Sequence, residues 1–137
     1  MRFQDKVVIV TGAAGGIGTA IAQRFSSEGA QVVATDLNAE GAKATAAAIR
    51  ATGGRAREFA SDISGAAGCK AVIADVLANE GRIDVLCNNA GINRRGPLLS
   101  LTAEDWDLSF AVNIDAVFHL SQAAVPHMGA GSSIINT

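Results

Sequence analysis

The fold is decided by the stretch Val7-Val8-Ile9-Val10-Thr11-Gly12-Ala13-Ala14-Gly15-Gly16-Ile17-Gly18. Its first four residues are apolar without polar alternation, which is typical of a strand buried on both faces of a parallel sheet. A glycine-rich turn follows, and a helix is predicted from Ile17 to about Glu28, with Gly29 as its C-terminal stop. A buried strand, a glycine turn and a helix in this order predict the first unit of an α/β sheet.

The same alternation continues to the end of the chain. Strands are predicted at residues 7–10, 31–36, 55–60, 83–88 and 132–136. Later helices are predicted from an Asn38 cap to Ala51, from a Ser64 cap to Glu80, from near Ala103 behind a Thr102 and Asp105 capping box, and from Asn113 to Met128. We therefore predict one α/β domain over residues 1–137, a doubly wound parallel sheet (Rossmann fold) of five strands in the order 3-2-1-4-5.

The first turn has the chemistry of a pyrophosphate site. A helix N-terminus offers unpaired N–H groups and the positive end of the helix dipole, and side chains would obstruct an approaching anion. Gly12 permits the tight turn, Gly16 lets the backbone approach a phosphate, and Gly18 lets the helix pack on the sheet. The spacing is G-x-x-x-G-x-G, and loops also collect glycine for steric reasons. Its place between strand and helix favours a dinucleotide site.

Asp36 ends the second predicted strand, 18 residues after Gly18. A carboxylate at this point accepts hydrogen bonds from the ribose hydroxyls of an adenosine and repels a 2′-phosphate. We therefore predict that the cofactor is NAD rather than NADP. The alternative is a solvated acid that closes a strand.

Four motifs in order resemble the N-terminal half of the short-chain dehydrogenases/reductases. They are Thr11-Gly12-(x)3-Gly16-Ile17-Gly18, Asp62 after the third strand, Asn88-Asn89-Ala90-Gly91 after the fourth, and Asn113 in the later helix. The resemblance covers essentially the whole chain. It implies a hydride transfer between NAD and a secondary alcohol or ketone.

The resemblance also implies roles for individual residues. The cofactor-binding residues would be Gly12, Gly16, Ile17, Gly18, Asp36, Asp62, Ile63, Asn89, Ala90 and Gly91. Within this set, Asp62 would contact the adenine ring with Ile63 beside it. Asn113 would be catalytic, because in the family the carbonyl at this helix kink holds a water of the proton relay.

The chain departs from the family pattern in its catalytic residues. The family's catalytic Ser, and a Tyr and Lys on the following helix, have no counterpart here, and the sequence contains no tyrosine. We expect the isolated chain to be inactive, as a truncated product or one piece of a larger enzyme, and to form a homo-oligomer or bind a complementary half. The alternative class is a non-catalytic NAD-binding or interaction protein.

Composition limits the remaining functions. The formal net charge is −2 and 49% of the residues are hydrophobic, which argues against a nucleic-acid partner or a polybasic membrane patch. The charged N-terminus and short apolar runs predict a cytoplasmic protein without a membrane segment. Cys69 and Cys87 are expected to be packed thiols, and no spacing of metal ligands is present.

Three further positions carry expectations. Arg94-Arg95 follows the Asn88 to Gly91 motif, and guanidinium groups bind carboxylates through two parallel hydrogen bonds. A similar pair follows this motif in family members that oxidise sugar acids; the alternative is a charged loop rim. Trp106 is predicted to anchor its amphipathic helix, with a role in an interface as the alternative. Ala46 is expected on the exposed face of the second helix.

Overall fold

The computed structural model describes residues 1–137, and its five strands form one parallel sheet in the order β3-β2-β1-β4-β5. The predicted fold class and strand order are therefore confirmed. The strands are β1 Val7–Thr11, β2 Gln31–Asp36, β3 Arg55–Ala60, β4 Val85–Asn88 and β5 Ser133–Asn136. The helices are α1 Gly16–Ser27, α2 Ala39–Ala51, α3 Ala66–Glu80, α4 Ala103–Phe110 and α5 Ala116–Ala124, with 3-10 turns at Leu98–Ser100 and Val125–His127.

The core has one layer on each face of the sheet. Along β1, Val7 and Ile9 join the cluster that includes α3 and α5 residues, whereas Val8 and Val10 join the cluster that includes α1 and α2 residues. Neighbouring side chains of a strand point to opposite faces, so an uninterrupted apolar run fills both layers. This explains why β1 is central and fully buried.

Helix ends follow the predicted signals with one exception. Gly29 and Gly81 have positive φ angles of 97° and 73°, which favour glycine, and they follow the last turns of α1 and α3. Thr102 and Asp105 form the predicted capping box. The Ser64 cap is wrong, because Gly65 caps α3 and the Ser64 N–H instead donates to the Asp62 Oδ1 at 2.9 Å.

Ala46 is fully buried, contrary to the prediction, and lies in the layer between α2 and the sheet. Helix α2 contains seven alanines from position 39 to position 51. Alanine is small and fits either face of a helix, so a run of alanines does not identify the buried side.

A continuous helical stretch runs from Ala103 to His127 through a π-helical segment at 111–115. Asn113 therefore lies inside this stretch rather than at the start of a separate helix. This stretch is long and apolar enough to cross a bilayer, whereas the sequence predicted no segment of that length. Core helices of soluble proteins can have the same length and composition. Its inner face packs in the domain, where Ala116, Leu120 and Ala124 are buried.

The amino ends of β1 and β4 are joined by the buried carboxylate of Asp84. It accepts the Val7 N–H at 2.9 Å and is bound by Arg82 at 2.6 and 2.8 Å and by the Lys6 Nζ at 3.2 Å. Burial alone opposes ionisation, but these hydrogen bonds and charges outweigh it and lower the pKa of Asp84. This cluster of contacts around Asp84 lies at the amino edge of the sheet, opposite the glycine turn.

Candidate functional site

The predicted site residues meet at the carboxyl edge of the sheet, where the strand order places β1 between β2 and β4. Two adjoining clefts of about 280 and 130 Å³ share Gly12, Asp36, Ala90 and Gly91, and together we call them the sheet-edge cleft. The larger part is lined by the glycine turn and the smaller part by residues 61–64 and 90–92. The structure brings these predicted cofactor residues to the cleft: Gly12, Gly16, Ile17, Gly18, Asp36, Asp62, Ile63, Asn89, Ala90 and Gly91.

The three glycines of the turn differ in what surrounds them. Gly12 has a φ of 67°, and a Cβ there would lie 2.8 Å from the Ala90 Cα. A Cβ at Gly18 would lie 2.0 Å from the Gly12 carbonyl oxygen, which is shorter than any van der Waals contact. A Cβ at Gly16 would meet no atom within 4 Å. Gly12 and Gly18 are therefore required by the fold itself, whereas Gly16 leaves open space facing the cleft.

The first turn of α1 fits an anionic group. Its N-cap residue is Gly15, no side chain caps the helix, and its first turn contains no acidic residue. The first N–H groups of a helix have no partner within the helix, so here they remain available to a ligand. Together with the positive end of the helix dipole, this cradle suits the pyrophosphate of a dinucleotide.

Asp36 is held at the rim by two backbone groups. Its Oδ2 accepts the Ala14 N–H at 2.9 Å, and its Oδ1 accepts the Asn38 N–H at 2.9 Å. A carboxylate oxygen has two acceptor sites, so each oxygen retains one for a ligand. The carboxylate is thus oriented in advance at the end of β2.

Asp62 and Ile63 line the smaller part of the cleft, as the resemblance implies. Asp62 is exposed, and hydrogen bonds from Ser64 lower the pKa of its carboxyl group. Ile63 is half-buried and packs against the core cluster that contains α3 and α5 residues. The pair offers an acceptor beside an apolar surface, which suits an aromatic base that carries an amino group.

Thr11, at the end of β1, holds the loop after β4, and the sequence reasoning did not select it for the site. Its hydroxyl donates to the Cys87 carbonyl at 3.3 Å and accepts the N–H groups of Asn89 at 3.1 Å and Ala90 at 3.0 Å. The Asn89 side chain donates to the Thr11 carbonyl at 3.0 Å. A threonine directly after a buried apolar strand and before the glycine turn was the available signal.

Asn113 lines neither part of the cleft but controls the loop beside it. Its Oδ1 accepts the Ile92 N–H at 2.8 Å, and its Nδ2 donates to the Ile92 carbonyl at 2.9 Å. The side chain is therefore engaged with the loop. The surrounding π-helical segment 111–115 shifts the backbone hydrogen-bond pattern, a feature that often marks functional sites.

The remaining candidate groups stand apart from this arrangement. Arg94 is half-exposed with its Nε 3.8 Å from the Asp105 Oδ1, and Arg95 is exposed with no ion pair. Cys69 and Cys87 are free and buried, and burial raises the pKa of both thiols. No group of three His, Cys, Asp or Glu side chains forms a metal site.

Comparison with known proteins gives consistent matches over the whole chain. The family model described as short chain dehydrogenase matches residues 6–137. D-threitol dehydrogenase of Mycolicibacterium smegmatis is 44% identical over 137 residues, covering 98% of this chain and 53% of that protein. Meso-2,3-butanediol dehydrogenase of Serratia marcescens is 41% identical over 138 residues, covering 100% of this chain and 54% of that protein. The chain thus spans about half the length of these relatives.

A solved structure extends the likeness to the backbone. A short-chain dehydrogenase of Burkholderia cenocepacia J2315, in complex with NADP, superposes with a TM-score of 0.94 at 41% identity. The match covers 99% of this chain and 56% of that one. The match therefore extends over nearly the whole chain, which contains both the glycine turn and the π-helical segment. On these grounds the chain belongs to the short-chain dehydrogenase/reductase family.

Proposed function

We propose that this chain is the NAD-binding part of an oxidoreductase that transfers a hydride between NAD and a secondary alcohol or ketone. The observation that carries the proposal is Asp36, whose carboxylate is held at the rim of the cleft beside the N-terminus of α1. Neither part of the cleft is lined by Lys or Arg, which a 2′-phosphate would need. The Burkholderia structure holds NADP, so this chain would differ from that neighbour in its cofactor.

Each part of the cleft has a task in this proposal. The N–H groups of the α1 first turn bind the pyrophosphate, Asp36 binds the adenosine ribose, and Asp62 accepts a hydrogen bond from the adenine. The bound nicotinamide supplies hydride chemistry. The Asn113 side chain holds the loop at Ile92. In a complete enzyme of this family, a backbone carbonyl of the π-helical segment would hold a water for proton transfer.

Titration of the purified chain with NADH and with NADPH, followed by cofactor fluorescence, tests the cofactor assignment. We expect tighter binding of NADH. Asp36→Ser removes the carboxylate while keeping a small polar side chain. It should reduce the difference between the NADH and NADPH affinities, because the 2′-phosphate is no longer repelled. Glu40→Gln, an exposed acid in the first turn of α2, is the matched control for lost charge. Equal or tighter NADPH binding by the unsubstituted chain would contradict the proposal.

A carboxylate-bearing polyol is the second candidate for the substrate. Arg94 and Arg95 lie in the loop that follows the cleft, and Arg95 has no ion-pair partner. Two relatives are named for polyol or diol oxidation, which is compatible with an alcohol substrate. In an enzyme that contains this chain, Arg95→Gln should raise the KM for a sugar acid and leave that for the neutral polyol unchanged. Equal effects on both substrates would argue for a simple rim charge.

We propose further that these 137 residues alone do not turn over alcohols or ketones. The sequence contains no tyrosine, and a positioned acid or base typically contributes about a hundred- to ten-thousand-fold to the rate. Mass-verified protein should give no NAD reduction with a panel of polyols and sugar acids. Turnover would contradict this point and argue equally against the alternative of a non-catalytic NAD-binding or interaction protein.

An apolar surface along α4 and α5 suggests a partner. The exposed side chains on this surface are Trp106, Phe110, Ile114, Phe118 and Val125. The first four recur every fourth residue and so follow one side of the helical stretch. Trp106 is 65% exposed, so the prediction that it anchors its helix in the core is wrong. Exposed apolar surface of this kind marks interaction sites. We propose that it is covered by a second copy of the chain or by a complementary half.

A further inference from the structure

The peptide unit between Ala13 and Ala14 is held at both of its polar atoms. The Ala13 carbonyl oxygen accepts the hydroxyl of Thr45 at 2.8 Å and the hydroxyl of Thr19 at 3.0 Å. The Ala14 N–H donates to the Asp36 Oδ2 at 2.9 Å. The carbonyl is thus tied to α1 and α2, and the amide of the same peptide unit is tied to the acid that the proposed function places on the ribose.

The two hydroxyl groups form a compact pair. Their Oγ1 atoms are 3.1 Å apart, so two hydroxyl protons serve three contacts. Ala13 is fully buried and Thr45 is 5% exposed, so water does not easily replace Thr45 at this carbonyl. Whichever way the protons are shared, at least one hydroxyl donates to the Ala13 oxygen.

A peptide unit is planar, so its oxygen and its N–H turn together. With the Thr45 and Thr19 hydroxyls in place, the Ala13 carbonyl is held toward α1 and α2. Rotation of this peptide would also withdraw the Ala14 N–H from Asp36. The carboxylate would then keep only the Asn38 N–H as a backbone donor.

Close packing from α2 reinforces this arrangement. A Cβ at Gly41 would lie 2.5 Å from the Ala14 Cβ, so the first turn of α2 lies directly against the glycine turn. The Asn38 side chain caps this turn by accepting the Gly41 N–H at 3.0 Å. The position of α2 and the orientation of the 13–14 peptide are therefore linked.

We infer that Thr19 and Thr45 are positioning residues for cofactor specificity. Their hydroxyls orient the 13–14 peptide, and the peptide in turn aims the Asp36 carboxylate at the ribose. This inference rests on the proposed NAD preference. The preference for NAD over NADP then depends on two hydroxyls that do not line the cleft.

The test is the ratio of NADH to NADPH affinity, measured by fluorescence titration alongside thermal unfolding of the free chain. Thr45→Val keeps the shape and removes the hydroxyl; it should weaken NADH binding about fivefold, the effect of one ordinary hydrogen bond, and leave NADPH binding within about twofold. The double variant T19V/T45V should reduce the ratio further. Thr45→Ser restores a hydroxyl and should recover the ratio.

Thr52→Val is the matched control, because that hydroxyl lies at the other end of α2 and donates to the Ile49 carbonyl at 2.9 Å. It should leave the ratio unchanged. If Thr45→Val does not fold, Thr19→Val carries the same expectation at a half-buried position. A parallel loss of both affinities, or an unchanged ratio, would overturn the inference. Absence of an NADH preference in the unsubstituted chain would instead refute the proposed function.

Discussion

Replacement of Gly16 by alanine should separate stability from cofactor binding. Gly16 is the first residue of α1, and an added Cβ would meet no atom of the chain within 4 Å. Alanine is favoured over glycine by about 0.5 to 1 kcal/mol within helices, with less expected at the first position. We therefore expect the free chain to keep its stability or gain up to about 0.5 kcal/mol, a rise of about 2 °C in Tm for a domain of this size.

The affinity of the same variant for the cofactor should fall. If a phosphate approaches the backbone at Gly16, the added methyl group occupies the space that the phosphate needs. A loss of about 1.4 kcal/mol of binding free energy lowers the affinity tenfold. We expect NADH affinity to fall at least about tenfold in fluorescence titration, while thermal unfolding shows no loss.

Gly18→Ala is the informative comparison, because its Cβ would lie 2.0 Å from the Gly12 carbonyl oxygen. This variant must shift the turn and should lose both stability and affinity. Unchanged NADH affinity in Gly16→Ala would refute the assignment of a phosphate to this position. An undiminished Tm in Gly18→Ala would refute the close packing of α1 on the turn.

Three further predictions concern other parts of the molecule. Asp84→Asn should lower the free energy of unfolding by about 1 to 3 kcal/mol at neutral pH. Folding lowers the pKa of Asp84, so its contribution to stability is present above the unfolded-state pKa near 4 and is lost as the pH falls toward the folded-state pKa. The free energy of unfolding of the variant, measured with urea, should therefore depend less on pH in that range than that of the unsubstituted chain. Asn113→Leu removes both contacts with the Ile92 backbone and should speed amide hydrogen exchange at residues 91–95, whereas unchanged exchange would show that the loop is held by other groups. An unpaired sheet edge can pair with another chain, and β5 is such an edge. Ile135→Lys on β5 should therefore reduce association in a light-scattering concentration series more than Ala48→Lys on the exposed face of α2; equal effects, or a clean monomer before substitution, would contradict an interface at β5.

The elements that the sequence predicted best are bounded by residues with strong local preferences. The limits of β2, α2 and β3 are those predicted. Gly29, Asn38 and the Gly53-Gly54 pair end or begin the neighbouring elements through local backbone geometry and capping, which depend only on nearby residues. Strand order was also predictable, since the glycine turn identifies β1 as central in this fold. The predicted Ser64 cap of α3 was wrong because the Asp62 carboxylate accepts the Ser64 N–H and forms a competing local turn.

Contacts between distant segments were not predictable in the same way. Thr45 lies 32 residues from Ala13 in the sequence, and Asn113 lies 21 residues from Ile92. Nothing in the local pattern distinguishes a threonine that binds a remote carbonyl from one that faces solvent. The buried position of Ala46 has the same cause, because only the packed fold shows which side of an alanine-rich helix meets the sheet.

The two ends of the sheet-edge cleft are therefore supported in different ways. The end at Asp36 is built from the first 45 residues, and buried hydroxyls and backbone amides hold it against α1 and α2. The end at Ile92 depends on one exposed side chain, Asn113, which reaches the loop from a helix that keeps much of its apolar surface uncovered. Local opening is easier where few buried contacts must break. We conclude that more buried contacts hold the Asp36 end in place than hold the Ile92 end, where one exposed side chain makes both contacts with the Ile92 backbone.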